Sequence, residues 1–544
     1  MPQKKLEYLI AFIAAYSLAA LLSWPLCWQG DQLLTSSIAE GDMGFTLFAQ
    51  WWLAEALLEG SSLGWSNFVQ YPEGSEILRQ LWNLPVILLT APLHFIFSPL
   101  MAYNQSILLI VALNGLAAYL LGRRWGIKQA YLALVIMISL PYTWNELGKG
   151  RLEQGFLAPM LLWIWSLYHL RDSHQFWPSG LAMALVANCY WFYAPMAAIL
   201  VPFILTKETI KHLPTLLKAA LLSILLSLPQ IFYVSPIIQQ FQRQATFGDP
   251  EGIRIQMENA WWPVDSLSFL GGGIEGKLPL VAILLLLISA QRKWIIALSL
   301  FAFVMALGPI LSHQGNNLTL FGHSLLLPHY YLDVIPIFMR FYWPYRWLSL
   351  LCCAIVLAAV HCDLSKRNIL IAASWFLIEG YLLLPVGFNP TLNTAQSDPY
   401  TFPAQGRYLS VAPSSFFTNI EQSDKAILPF PTQNHSDRHV FWIPFHQHSI
   451  ATFPNNAGHS KVLDKLAQED HGGFYSAWLN GRSICQHSFQ QSLPFLQAQG
   501  FGWIIWHKAT AENAIQSEEL YCLQQKLGEP LHHDSQISVW QISP

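Results

Sequence analysis

Glu40-Gly41-Asp42 lies about a dozen residues beyond an uncharged run of twenty residues, Tyr8 to Cys27. A carboxylate in that place can take a proton from a hydroxyl or bind a divalent metal. Gly41 and Gly44 let the backbone bend so that the carboxylates face a cleft. Asp42 also precedes a helical stretch and is suited to cap it; residue type favours the cap and leaves the chemical role open. A second group, Asn145 to Gly155, packs Glu146, Lys149, Arg151 and Glu153 between two apolar runs. Such charges can pair with one another and with lipid headgroups, but ionisable groups beside a membrane cavity are candidates for function. A carboxylate next to Arg or Lys is what a reaction with a phosphate leaving group needs: the base activates the nucleophile and the cation stabilises the departing phosphate. In Phe338-Met-Arg-Phe-Tyr-Trp-Pro-Tyr-Arg-Trp347, Arg340 and Arg346 stand among aromatics. An Arg fork matches phosphate oxygens, and Arg at the end of a span also snorkels to the interface. Arg243 and Arg254 are further cations of the same kind.

These residues must be positioned by apolar elements. Of 544 residues 53% are hydrophobic and only 11% are charged, against about 25% charged in an ordinary soluble domain. That balance excludes a disordered or collagen-like chain and a typical cytosolic enzyme. The net charge of −3 gives no basic surface for a nucleic acid. Apolar runs at 8–27, 101–121, 130–144, 156–170, 180–192, 193–206, 213–233, 277–290, 294–310, 343–361 and 369–385 predict eleven transmembrane helices. The first is read as a retained helix and not a cleaved signal, because it is long and Trp24-Pro25-Leu26-Cys27 is a poor cleavage site.

Charge sets the direction. With the N-terminus in the cytoplasm, Lys4, Lys5, Arg123, Arg124, Lys128, Arg171, Lys207, Lys211, Lys218, Arg292, Lys293, Lys366 and Arg367 fall on the cytoplasmic side, in short turns. Merging 180–206 into one helix would break this agreement. Residues 29–100 then form an outer loop with an amphipathic stretch, Phe45 to Leu58, and an apolar stretch, Leu81 to Phe97, both read as interfacial helices. The domain division is 1–385 in the membrane and 386–544 outside. The 159-residue tail reads as an α/β domain, with strands at Ala426 to Phe430, Gly502 to Trp506 and Ser538 to Ile542, and a helix at Ser488 to Gln499. Cys485 and Cys522 are the only cysteines in this tail and are expected to form a disulfide, since an outer compartment permits oxidation. His435, His439, His446, His448 and His459 are too irregularly spaced for a zinc site. Asn104-Gln-Ser106 and Asn317-Leu-Thr319 match the glycosylation pattern, which is common by chance.

The layout resembles the polytopic GT-C glycosyltransferases, and among them a group of uncharacterised bacterial members. The likeness rests on the acidic Glu40-Gly-Asp42 after the first span, on interfacial helices in the first loop and on Leu120-Leu-Gly-Arg-Arg-Trp125 ending the second span. Arg151 with Glu153, the Arg340…Arg346 element and the tail extend it. Two departures stand out: the first loop has no tandem Asp-Glu or Asp-X-Asp, and Glu stands in the second loop where many relatives carry Asp. The resemblance implies a lipid-phosphate-linked sugar donor, Asp42 as the base or a metal-side acid, and Glu153 or Glu146 as a second acid, with Glu40 beside them. Arg340, Arg346, Lys149, Arg151 and Arg243 would serve the lipid phosphate. A divalent metal is admitted and no cofactor is assigned.

The resulting expectation is an inverting glycosyltransferase on the outer face of a bacterial inner membrane. It would move a sugar from a polyprenyl phosphate to a glycan, lipid or protein acceptor. The alternative is a transporter or a non-catalytic, lipid-binding envelope assembly factor; no clear internal repeat supports a transporter.

Overall fold

Each run expected to span the membrane carries a helix in the computed structural model, which is mostly helical. The structure describes residues 2–35, 42–77, 83–205, 210–244, 279–289, 292–313, 316–332, 344–383, 409–411, 413–420, 425–430, 436–451, 461–480, 482–508, 514–534 and 536–542. In chain order the elements used below are α1 (Pro2–Leu22), α2 (Asp42–Glu59), α3 (Leu84–Thr90), α4 (Pro99–Gly122), α5 (Ile127–Ser139), α6 (Pro141–Gly148), α7 (Leu152–Gly155), α8 (Ala158–Ser173), α9 (Trp177–Cys189), α10 (Tyr193–Leu205), α11 (Leu213–Gln244), α12 (Leu280–Ile288), α13 (Lys293–Ala306), α14 (Leu348–His361) and α15 (Lys366–Leu383). By length and composition, four described segments are long and apolar enough to cross a membrane: Lys5–Leu22, Pro99–Gly122, Leu213–Phe232 and Pro344–His361. Several others, including Ile127–Ser139, Tyr193–Leu205 and Lys293–Ala306, are shorter apolar helices.

Proline and glycine set the breaks that matter for the site. Leu140 is extended (φ −73°, ψ 120°) because it precedes Pro141, and a new helix starts at that proline. The stretch 130–144, expected as one span, is therefore divided, and α6 buries its whole length, Glu146 included. Tyr190 is also extended, so α9 and α10 are two helices and not one long one. α4 is the hub of the bundle, packed against α1, α5 and α8. At Gly122 an added Cβ would lie 2.8 Å from the Ala130 Cα, so only glycine lets α4 and α5 approach so closely there.

Segments assigned to one face by charge meet at one end of the bundle. Glu7 Oε1 accepts hydrogen bonds from Arg123 Nε (2.6 Å) and from the Tyr119 hydroxyl (2.7 Å). Arg124 pairs with Asp172, and the rings of Trp125, Tyr168 and His361 meet in the same region. The turn 123–128 is expected to be cytoplasmic and residue 544 external. A reporter active only outside the cytoplasm should be silent when fused within 123–128 and active when fused at 544; the opposite pattern would overturn the orientation.

α2 differs from the amphipathic interfacial helix expected over 45–58. Met43, Leu47, Phe48, Trp51, Trp52 and Leu53 are buried, and so is Gln50, whose amide donates to Thr90 Oγ1 (2.7 Å). The tail helix α16 (Ser436–His446) packs on α2 and covers a face that the local pattern alone leaves to lipid or water. Within 83–97, α3 is followed by a 3-10 turn at Ala91–Phe95, and Leu88, Leu89, Phe95 and Ile96 are exposed.

The tail carries a four-stranded mixed sheet. With β1 (Leu33–Leu34) and β2 (Leu409–Ser410) paired elsewhere, the sheet consists of β3 (Ala426–Phe430), β4 (Phe501–His507), β5 (His532–His533) and β6 (Ile537–Gln541), in the order β5-β6-β4-β3. β3 and β4 are parallel; β4 and β6 are antiparallel. A helix at Phe489–Ala498 leads into β4. Backbone bonds tie the tail to the segment 29–100: Val411 N donates to Gln32 O (2.8 Å), Ile450 N to Phe68 O (2.8 Å) and Tyr71 N to Ile450 O (3.0 Å). Cys485 and Cys522 are joined by a disulfide with Cα atoms 5.5 Å apart. His439, His446 and His448 are buried; His435 and His459 lie outside the described residues. Asn104 is buried in α4 and donates to Gly30 O and Leu33 O, which excludes it as a glycosylation site. The Asn317 side chain lies outside the described residues.

Candidate active site

The turn Lys149-Gly150-Arg151 sits against the start of α2. Gly150 (φ +85°) lies so close that an added Cβ would be 2.4 Å from the Met43 N and Cα. Thr46 Oγ1 donates to Gly150 O (2.8 Å), and Thr35 Oγ1 donates to Gly148 O (3.0 Å). Glycine is thus required twice over, by its left-handed φ and by the lack of space. The result brings the segments 29–100 and 145–155 together: Arg151 Nε donates to Asp42 Oδ2 at 2.8 Å. Asp42 stands in the first turn of α2, where the free backbone N–H groups favour a negative charge. Its side chain is 51% exposed, so the carboxylate reaches solvent while it holds Arg151.

Behind Arg151 the site is buried. Arg151 Nη1 donates to the Tyr345 hydroxyl (2.8 Å) and lies 3.6 Å from Glu146 Oε2. Glu146 is fully buried and accepts from Asn145 Nδ2 (3.0 Å). The Tyr345 hydroxyl also lies 3.4 Å from Glu146 Oε2 and 3.3 Å from Gln154 Oε1. Gln154 Oε1 accepts from Arg346 Nε (3.3 Å) as well. The Arg346 guanidinium lies over the Phe192 ring (4.5 Å) and the Tyr190 ring (5.2 Å). Arg346 is therefore not a snorkelling side chain: it is 5% exposed and held by aromatic faces and an amide. A continuous chain of contacts runs from Asp42 through Arg151, Tyr345 and Gln154 to Arg346.

Glu153, in α7, accepts from Asn83 Nδ2 at 2.8 Å. Burial pushes its carboxyl up to about 7, and the Asp42 charge adds to the rise against the Asn83 bond, which favours the ionised form. A carboxyl raised from its ordinary 4.5 stays protonated in weak acid and ionises as pH rises through about 7. Its proton uptake stabilises the folded chain below about 4.5, and that contribution fades as pH climbs toward 7. Glu153→Gln, permanently neutral, should flatten the decline of thermal stability between these pH values. It should also remove any inflection near 7 from the activity profile. An unchanged stability profile would show that Glu153 ionises normally.

Of the candidates from sequence, Asp42, Glu146, Arg151, Glu153 and Arg346 come together, and Lys149 is buried in the same turn. Arg243 is in the last turn of α11; Glu40, Arg340 and Arg254 lie outside the described residues. Tyr345, Gln154, Asn83, Tyr190 and Phe192 complete the site, and none carries a charge that marks it in the sequence. The run Tyr190-Trp-Phe-Tyr193 between two apolar stretches was the available signal for the aromatic pair; Asn83 had none. Among the described residues, no three His, Cys, Asp or Glu side chains gather as a metal site. No chemical step below is routed through a metal ion.

No family model matches this chain, and no curated protein matches it. Solved structures of the oligosaccharyltransferase of Archaeoglobus fulgidus are similar to it. The complex with Zn and sulfate aligns at a TM-score of 0.48 and 11% identity, over 91% of this chain and 68% of that one. AglB in complex with an inhibitory peptide and a dolichol-phosphate aligns at 0.43 and 12%, over 93% and 70%. At these scores the likeness carries no argument about the site.

Proposed function

We propose that this protein is a membrane glycosyltransferase that takes a sugar from a polyprenyl phosphate and passes it to a glycan, lipid or protein acceptor on the outer face of a bacterial inner membrane. The observation that carries the reading is the contact between Asp42 and Arg151, backed by Glu146, Tyr345 and Arg346. An exposed carboxylate at the head of a buried line of guanidiniums supports a base beside cations that fit a phosphate. Asp42 takes the proton of an acceptor hydroxyl or amine. The freed electron pair attacks the anomeric carbon from the side opposite the phosphate, the bond from carbon to phosphate oxygen breaks, and the configuration inverts. The departing phosphate takes its charge to Arg151 and Arg346, whose forks are already oriented. Lys149, Arg340 and Arg243 are further cations for the lipid phosphate, and Glu153 is the second acid. Glu40, two residues before Asp42, belongs to the same acidic group.

Eleven spans, a cytoplasmic N-terminus and an external tail make this site extracytoplasmic. The meeting of residues 42, 146–154, 190–192 and 345–346 at one end of the bundle supports that alternation. Phosphate stabilisation by preset donors and proximity of the two substrates are the rate terms asked of the site. The test is release of free polyprenyl phosphate from a radiolabelled polyprenyl-phosphate sugar in vesicles containing the full chain, with transfer of label to endogenous acceptors. Tight donor binding with no release would replace this reading with that of a lipid-binding or transport protein.

A further inference from the structure

A second cationic cluster occupies the opposite end of the bundle and has no part in the chemistry above. Tyr168, near the end of α8, is 3% exposed, and two guanidiniums from different helix ends lie over its ring. Arg171 Cζ is 5.0 Å from the centroid and Arg124 Cζ is 5.7 Å. Trp125 meets the same ring edge-on at 5.1 Å. His361, at the end of α14, packs on Trp125 (4.6 Å) and on Trp294 of α13 (5.7 Å). Its Nδ1 donates to Leu357 O (2.8 Å), which leaves Nε2 to accept from the Tyr168 hydroxyl at 3.5 Å. Arg292 is exposed and close enough to act electrostatically on both Tyr168 and His361.

Two guanidiniums from separate segments thus lie over one buried ring, and Arg292 acts on that ring electrostatically. Asp172 is the carboxylate that pairs there among the described residues, with Arg124 and, at 3.4 Å, with Arg171. Arg171 and Arg124 remain 38% and 22% exposed. Ordinary orientation signals need only charge in a loop; they do not require cations stacked on a buried ring. Next in the chain, Phe176, Trp177 and Leu181 present exposed apolar side chains at the start of α9, a surface for an acyl chain beside the charged head.

We propose that this cluster binds the phosphate of an anionic phospholipid in the cytoplasmic leaflet. Basic pockets between transmembrane helices on that side take such headgroups, and Arg forks fit a phosphodiester while the aromatic faces hold the forks in place.

The test is native mass spectrometry of the purified full chain with phosphatidylglycerol or phosphatidylcholine of equal chain length. The wild type should retain phosphatidylglycerol about tenfold better, and Arg124→Gln with Arg171→Gln should remove that preference. Lys366→Gln with Arg367→Gln removes two exposed cations of α15 and should leave it intact. If the first pair impairs folding, Arg124→Lys with Arg171→Lys keeps the charge, loses the fork and should weaken the preference. Equal retention of the two lipids by the wild type, or equal loss in the α15 pair, would overturn the proposal. Inorganic phosphate that binds alone and displaces the lipid at millimolar concentration would also overturn it, in favour of a soluble phosphate ligand.

Discussion

Asp42→Asn should yield a folded, membrane-inserted protein whose sugar transfer is lower by about 10²–10⁴-fold, the range for loss of a general base. The substitution is chosen for what it keeps. Asn and Asp serve about equally well at a helix start, and the Asn carbonyl oxygen still accepts from Arg151. The lost ion pair is half-exposed at Asp42, and such pairs contribute only about 0–1 kcal/mol to stability. Expression, thermal midpoint and donor retention should therefore stay close to the wild type while release of polyprenyl phosphate falls. A helix-start role alone predicts that transfer survives together with stability. Near-wild-type transfer would remove Asp42 as the base. The next candidate would be Glu153 before Glu146, because Glu146 is fully buried and already held by Asn145, Tyr345 and Arg151.

The legible part of the fold was periodic or charged. Long apolar runs gave the helices, and the Lys/Arg bias grouped loops that do meet, such as 123–124 with 171–172. The tail strands were legible because each is a short apolar run beside turn residues. What could not be read was anything set by packing between distant segments. The stretch Phe45 to Leu58 resembles an interfacial helix until α16 covers it, and α16 is almost four hundred residues away. The site was legible in its charged members, since ionisable residues are rare in an apolar chain. Its neutral members were not. Gln154 and Tyr345 are ordinary residues until the fold sets Tyr345 between Arg151 and Glu146 and gives Gln154 the Arg346 guanidinium. The sequence leaves two roles open for Arg346, because stacking on Phe192 depends on how the turn between α9 and α10 meets the start of α14.

Arg151→Met should destabilise the chain by about 2–4 kcal/mol, somewhat less than the 3–5 kcal/mol for breaking a fully buried pair. The discount reflects the 19% exposure of Arg151, where water screens part of the charge. The loss comes chiefly from what is left behind. Glu146 has no exposure and keeps hydrogen bonds from Asn145 and Tyr345, but it loses the guanidinium 3.6 Å away that pairs with it. Adding Glu146→Gln to Arg151→Met should therefore recover most of the stability, because a neutral amide can still use both hydrogen bonds. Glu146→Gln alone should cost little. This non-additive pattern, read from thermal midpoints in one detergent, identifies Arg151 as the counter-charge of Glu146. Transfer activity should remain low in the double variant, since the guanidinium proposed to meet the phosphate is still missing. Recovery of stability without recovery of transfer would separate the pairing of Arg151 with Glu146 from its proposed role toward the phosphate. A double variant no more stable than Arg151→Met would mean that Glu146 does not rely on this arginine.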